Sequence, residues 1–166
     1  MGWWSKAIMG GDAPWDAEGD TLDFLGFDTD NGMGSWEECP DVLRQMLELK
    51  SDQDWVGLLT QKNYNILSPN IEDRETPYIK AQVIAYLHME SGAVLPPSIR
   101  KWAIEACEEE LWGKNNAERR YYLDAFVDQI NNYDGTPTQT LNEGYTEKMI
   151  ALMEKEEKKK RSPKMK

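Results

Sequence analysis

Apolar residues recur at helical spacing along most of this chain, and turn-forming residues separate the segments in which they do so. In the second half, Thr76-Pro77 and Pro96-Pro97 are typical helix starts, and Asn116 can cap a third helix. Gly92 and Asp134-Gly135 are typical stops. The pattern predicts three consecutive amphipathic helices. Their apolar stripes are Ile79, Val83, Ile84 and Leu87; Ile99, Trp102, Ala103, Ala106 and Leu111; and Tyr122, Leu123, Phe126, Val127 and Ile130.

The first half of the chain has a similar but less regular pattern. A first helix is predicted to end at Gly26, and the apolar set within residues 40–50 predicts a second helix. Ser51 followed by Asp54 resembles a capping box with Asp in place of Glu, and it predicts the start of a short third helix. Residues 63–75 are typical of a long polar connection.

These patterns together predict the fold class and the domain organisation. No segment alternates with period two, so we predict an all-α fold. It is a compact bundle of about six helices, with an irregular Trp-rich N-terminal segment and a charged C-terminal tail. We expect one acidic helical domain over 1–135, a linker and a docking C-terminal helix over 136–154, and a basic, disordered tail over 155–166. The docking stripe of the last helix is Leu141, Tyr145, Met149 and Leu152.

Three tryptophans lie within the first fifteen residues, around a Gly10-Gly11-Asp12 turn. Because the indole is large and mostly apolar, we expect Trp3 and Trp4 to hold the N-terminus on the bundle. Trp15 shares one side of the first helix with Leu22, so it is expected on the inner face. We therefore predict that the three tryptophans are structural anchors rather than a ligand site.

Acidic residues occupy the opposite side of the first helix. They lie at Asp12, Asp16, Asp20 and Asp23, which follow the spacing i, i+4, i+8 and i+11. Asp12 can also cap this helix, with Pro14 in its first turn. A second acidic group, on a later helix, is Glu105, Glu108 and Glu109. These seven carboxylates are our candidate acidic interaction face, and the alternative is a solvated helix surface without a partner.

The charge of the chain is unevenly distributed. The formal net charge is −11 at pH 7, and the last twelve residues hold seven Lys or Arg and two Glu, a net of +5, so the remaining body carries −16. Such a body repels nucleic acid and anionic membranes and favours a protein partner with a basic surface, or it serves solubility alone. The basic run 158–161 could bind nucleic acid or an acidic surface; the alternative is a solvated terminus without a partner. No secretory signal and no apolar run of membrane-spanning length are present, so we expect a cytoplasmic protein.

Residues for familiar catalytic chemistry are few. His88 is the single histidine, and its place near a helix end favours a structural role over that of a base. Cys39 and Cys107 are far apart and are expected to be free thiols. The loop beginning at Asp28 resembles a calcium loop, but Met33 stands where the turn needs Gly, and Cys39 stands where the ion needs Glu. No Gly-rich phosphate motif is present, so we predict no catalytic residue, no metal site and no cofactor.

The opening of the chain resembles a family of small bacterial and phage proteins catalogued as domain of unknown function 4259. Members begin Met-Gly-x-Trp and continue with a short apolar stretch and an acid-rich helix. The matching residues are Met1-Gly2-Trp3-Trp4, Gly11-Asp12 and Trp15-Asp16, and YIKAQVIAYL and ERRYYLDAFVDQINNYDGTP are similar in order and spacing to a phage subset. The resemblance covers roughly residues 1–135. It implies a cytoplasmic, phage-encoded accessory protein and supplies no activity or catalytic residue.

Three functions stay open at this point. The first is a non-enzymatic acidic interaction protein that binds or inhibits a host protein, such as a nucleic-acid enzyme or a defence system. In one version, DNA mimicry, carboxylates stand in for phosphates. The candidates for that role are Asp16, Asp20, Asp23, Glu108 and Glu109. The second function is a carboxylate-based metal-dependent enzyme, and the third is a structural or assembly component that oligomerises through the last helix.

Overall fold

The computed structural model describes residues 8–27, 35–62 and 64–140, and within them the chain is largely helical. The helices are α1 (Asp12–Leu25), α2 (Pro40–Glu48), α3 (Asp52–Leu59), α4 (Glu75–Ser91), α5 (Pro97–Glu109), α6 (Leu111–Asn115) and α7 (Ala117–Asn132). One hairpin pairs β1 (Thr60–Gln61) with β2 (Tyr64–Asn65) antiparallel, and 3₁₀ turns cover Trp36–Glu38 and Ile71–Arg74. The predicted all-α class is confirmed.

Local signals in the sequence place most helix ends correctly. Gly26 and Gly92 both adopt the left-handed conformation at φ 79°, where a side chain would be strained, and they end α1 and α4. At the start of α3, the Asp54 amide donates to Ser51 Oγ at 3.2 Å and the Ser51 amide donates to the Asp54 carboxylate at 2.8 Å, which is the predicted capping box. The Asn116 side chain caps α7 as predicted.

Three local predictions need correction. The N-cap position of α1 is Gly11, and Asp12 is instead an acidic residue of the first turn, where it interacts favourably with the helix dipole. Glu110 is extended, with φ −60° and ψ 140°, and therefore separates α5 from α6, so that Leu111 begins the next helix. The expected polar connection over 63–75 includes β2 and a 3₁₀ turn.

Helix α4 is the centre of the bundle. Its middle turns are buried on every side, whereas the sequence pattern predicted a single apolar stripe on this helix. Helices α1, α2 and α5 pack directly on α4, α3 and α7 pack on α5, and α6 packs on both α5 and α7. The fully buried residues of α4 are Tyr78, Ala81, Gln82, Val83, Ile84, Ala85, Leu87, His88 and Met89.

Helix α1 packs on α4, and most of its buried residues are small. The buried residues of α1 are Pro14, Ala17, Thr21 and Leu22. Trp15 is 60% exposed, so the prediction that it lies on the inner face is wrong. Small side chains let two helices approach closely, and the bulky indole is left at the edge of the contact. Its Nε1–H still donates to the Met9 carbonyl at 3.0 Å. The other predicted anchors, Trp3 and Trp4, lie outside the described residues.

The chain beyond α7 returns along α4. The Thr138 amide donates to the Met89 carbonyl at 2.7 Å, and the Thr140 amide and hydroxyl both donate to Glu90 Oε2. The predicted last helix and basic tail lie outside the described residues, beyond Thr140. None of the described helices combines the length and apolar character needed to span a membrane.

Candidate functional site

A cleft of about 500 Å³ opens between α1, α4 and α6. Asp16 and Asp20 of α1 form one side of this acidic cleft, and Glu75 and Lys80 of α4 form the other. Trp112 of α6 supplies an aromatic wall. The volume is in the range of small ligand sites and is enough for one long side chain.

A buried polar network lies beneath the acidic cleft, and Glu110 is the member of the network that lines the cleft. Arg119 donates through Nε to Glu110 Oε1 at 2.6 Å and through Nη2 to Glu110 Oε2 at 3.0 Å. Gln82 donates to Glu110 Oε2 at 2.8 Å and accepts from Arg119 at 3.1 Å. Both oxygens of Glu110 are therefore engaged, and this carboxylate supports the cleft rather than acting as a base in it.

The walls of the cleft are held by further contacts. The Arg119 guanidinium lies 4.6 Å from the Trp112 ring centroid, which is a cation–π distance. Glu75 Oε1 accepts a hydrogen bond from the Leu111 amide at 3.2 Å. A carboxylate of α4 therefore binds one of the free backbone amides at the N-terminus of α6. These contacts fix the position of α6 against α4, and with it the width of the cleft.

The exposed carboxylates at the rim have little internal compensation. Lys80 Nζ lies 3.8 Å from Asp20 Oδ2, a long ion pair, and the same ammonium lies 5.9 Å from the Tyr64 ring centroid. The carboxylates of Asp16 and Asp23 have no ion pair or hydrogen-bonding partner among the residues that the structure describes. Their charges therefore face solvent.

The structure separates the seven predicted carboxylates into two groups. Asp12, Asp16, Asp20 and Asp23 are all exposed on the outer side of α1, and we call these four the acidic row. Glu105, Glu108 and Glu109 lie on α5, and none of them lines the acidic cleft. Lys114 donates to Glu109 at 2.6 Å, and this hydrogen bond holds the pKa of that carboxyl below its usual range. Only Asp16 and Asp20 belong both to the prediction and to the cleft.

Several residues of the cleft had no signal in the sequence. Glu75, Glu110 and Arg119 belong to a chain rich in charged residues, and nothing in their spacing marks one of them as buried. Lys80 and Trp112 were equally unmarked. The break between α5 and α6, which the sequence pattern did not predict, lies where Glu110 and Trp112 reach the cleft.

His88 and Cys107 are both buried away from the cleft. The Nδ1 atom of His88 bonds the Ile84 carbonyl at 2.7 Å, and its buried Nε2 atom has no hydrogen-bonding partner among the described residues. Desolvation by burial lowers the pKa of His88 to about 4, against the hydrogen bond to Ile84, which raises it. Burial raises the pKa of the Cys107 thiol. Neither side chain is placed to act on a ligand in the cleft.

No group of three or more His, Cys, Asp or Glu side chains is placed to hold a metal ion within residues 8–27, 35–62 and 64–140. The loop that resembles a calcium site begins at Asp28 and falls largely outside these ranges.

A comparison with protein-family models finds no match for this chain, and searches of curated proteins and of solved structures find none either. The resemblance to domain of unknown function 4259 therefore stays a prediction.

Proposed function

We propose that this protein is a non-enzymatic binding module, in which the acidic row and the acidic cleft receive a basic surface of a partner protein. The unbalanced charge of α1 is the observation that carries the proposal. Its fourteen residues include five acidic side chains and no basic one, and four of the five are exposed.

Electrostatics gives a reason why such a helix gains from a partner. Like charges at i, i+4 destabilise a helix by roughly 0.2–0.5 kcal/mol per pair. Lys80 forms a long ion pair with Asp20, whereas the carboxylates of Asp16 and Asp23 have no ion pair among the described residues. A basic surface would neutralise the row, and its attraction would accelerate association at low ionic strength.

The acidic cleft would supply specificity beside the row. Asp16 and Asp20 belong to both features, so a basic surface lying along α1 would meet the mouth of the cleft. The indole of Trp112 is suited to stack on a guanidinium or an aliphatic stem, while the carboxylates bind the charged end. An arginine or lysine side chain inserted there would be the anchor of the interface.

A capture experiment with matched variants tests the proposal. The immobilised protein is exposed to host lysate, and bound proteins are eluted as the salt rises from about 0.1 to 1 M, over which the Debye length falls from about 10 to 3 Å. The test variant carries Asp16→Asn, Asp20→Asn and Asp23→Asn. The control variant also loses three exposed carboxylates, by Glu38→Gln, Glu72→Gln and Asp128→Asn.

We expect a partner that binds the wild type and the control, is lost from the test variant, and elutes early in the salt gradient. Equal binding of the partner to both variants would rule out the acidic row as the binding surface. A partner whose binding does not depend on salt would rule out an electrostatic interface. DNA mimicry is the sharper version of the proposal. It requires in addition that duplex DNA and this protein compete for the same partner.

A further inference from the structure

A second cleft lies on the other side of α1 and has a different character. Its volume is about 660 Å³, and it opens between α1, α4 and the 3₁₀ turn Trp36–Glu38. Three aromatic side chains line it, together with two glutamates and Leu22. The aromatic residues are Trp15, Trp36 and Tyr86, the glutamates are Glu18 and Glu37, and we call this site the aromatic cleft.

The aromatic walls are held in a defined arrangement. The Trp36 and Tyr86 ring centroids are 6.0 Å apart and their planes meet at 85°, so the two rings form a corner. Trp36 is 4% exposed and packs in the core, which fixes one side of that corner. Trp15 lines the cleft nearer to solvent, and its hydrogen bond to Met9 restrains the indole.

The aromatic cleft is also acidic. Glu18 Oε1 accepts a hydrogen bond from Trp36 Nε1 at 2.8 Å, so the carboxylate is held at the edge of the aromatic corner. Burial raises the pKa of Glu18, partly against that hydrogen bond, and the nearby charge of Glu37 raises it further. None of the described residues that line this cleft is basic. A cation inside would therefore be attracted by both carboxylates and by the electron-rich ring faces.

We propose that the aromatic cleft binds an alkylated ammonium group, carried either by a small quaternary amine or by a methylated lysine side chain. Alkylation removes hydrogen-bond donors and weakens hydration, so the group enters an aromatic site at lower desolvation cost than a plain ammonium. A neutral apolar group of the same shape gains nothing from Glu18 and Glu37. This inference is independent of the acidic row, because it concerns the other side of α1.

Choline and its neutral isostere 3,3-dimethylbutan-1-ol are the probes that test the charge requirement. The indole N–H signals of the full chain, which has seven tryptophans, are followed by ¹H–¹⁵N NMR during titration, with NaCl matching the ionic strength. We expect choline to shift two indole signals saturably, those assigned to Trp15 and Trp36, and the isostere to leave them unchanged. Absence of a saturable shift, or equal shifts with both probes, would overturn the proposal.

Matched variants locate the binding to the cleft. Glu18→Gln and Trp15→Leu are each expected to weaken choline binding by about fivefold to tenfold, because one removes the charge and the other removes an aromatic wall. Glu72→Gln makes the same charge change at an exposed position on the 3₁₀ turn Ile71–Arg74 and should bind as the wild type does. Thermal denaturation establishes that all three variants fold. Unchanged binding in folded Glu18→Gln and Trp15→Leu would contradict the assignment.

A peptide with one trimethyl-lysine separates the two sources of the ligand. If its affinity exceeds that of choline, the cleft serves a methylated protein. If only choline binds, the ligand is a small quaternary amine. Binding of the unmodified lysine peptide as tightly as the methylated one would overturn the requirement for alkylation.

Discussion

Arg119 and Glu110 form a buried ion pair in which two guanidinium nitrogens meet both carboxylate oxygens, at 2.6 and 3.0 Å. The pair joins α7 to the junction between α5 and α6, and Gln82 of α4 bonds both partners. Three segments distant in sequence therefore meet at one neutral polar cluster. This cluster lies beneath the acidic cleft, and Glu110 lines the cleft.

Breaking this pair should be costly. Glu110→Gln leaves the Arg119 cation buried without its counter-charge, and we expect the free energy of unfolding to fall by about 3–5 kcal/mol in urea denaturation. Asp124→Asn is the control, because it removes an exposed pair with Arg120 and should cost no more than about 0.5 kcal/mol.

The double variant Glu110→Leu with Arg119→Met tests the same cluster in another way. It removes both charges together, and it should recover much of the stability that Glu110→Gln loses. A Glu110→Gln variant as stable as the Asp124→Asn control would show that the pair has no such role.

The stability of the fold should decrease as the pH falls from about 6.5 towards 4. His88 in the unfolded chain takes up a proton near pH 6.5, whereas its pKa in the folded protein is lowered to about 4. In this window the unfolded state binds more protons, so acidification favours unfolding, by about 3 kcal/mol at pH 4. The raised pKa values of Glu18 and Glu90 act in the opposite direction.

The comparison with His88→Gln isolates the histidine. Urea denaturation of both proteins at several pH values gives the difference in unfolding free energy, in which the contributions of the carboxylates cancel. We expect this difference to change with pH between 4 and 6.5 and to be constant above pH 7. A difference that does not depend on pH would refute the burial of a neutral imidazole.

Two helical glycines should respond oppositely to alanine. A Cβ at Gly113 would collide with Leu123, a fully buried side chain, so Gly113→Ala should destabilise by roughly 1–3 kcal/mol. A Cβ at Gly57, inside α3, meets no described residue within 4 Å, so Gly57→Ala should stabilise by up to about 1 kcal/mol. Melting temperatures of the two variants test this, and a shift of the same sign in both would be evidence against the packing around α6.

The two thiols should differ in reactivity. Cys107 is buried and its pKa is raised, whereas Cys39 is half-buried, and its thiol donates to the Ser35 carbonyl. In the native protein we expect a thiol reagent to modify Cys39 first, and Cys107 only after denaturation. Mass spectrometry of the wild type and of Cys39→Ser gives the number of modified thiols. Rapid labelling of native Cys39→Ser would contradict the expected protection of Cys107.

The sequence by itself determined most of the helix ends. Ser51 with Asp54, Asn116, Gly26 and Gly92 all act through hydrogen bonds or backbone angles within a few residues, and such signals do not depend on the rest of the chain. The all-α class follows from the same local regularity.

The outer side of α1 was also determined locally, but its inner side was not. The four carboxylates of the acidic row share one side of the helix by their spacing, and four charges on one side cannot be buried together, so this side must face solvent. Trp15 and Leu22 share a side by the same spacing, yet Leu22 is buried and Trp15 is 60% exposed. Helix α1 packs on α4, and the small side chains of Ala17 and Thr21 are among its buried residues. Hydrophobicity alone does not reveal how closely two helices approach.

Only the tertiary structure decided the two clefts and the charges beneath one of them. Glu110 and Arg119 are residues that a sequence assigns to the surface, because burying either charge alone is prohibitive. Burial becomes possible once Glu110, Arg119 and Gln82 satisfy each other's hydrogen bonds and charges. Glu110 and Arg119 lie 28 and 37 positions away from Gln82 in the sequence. No local sequence pattern predicts these hydrogen bonds, because they form only after α4, α5 and α7 have packed together.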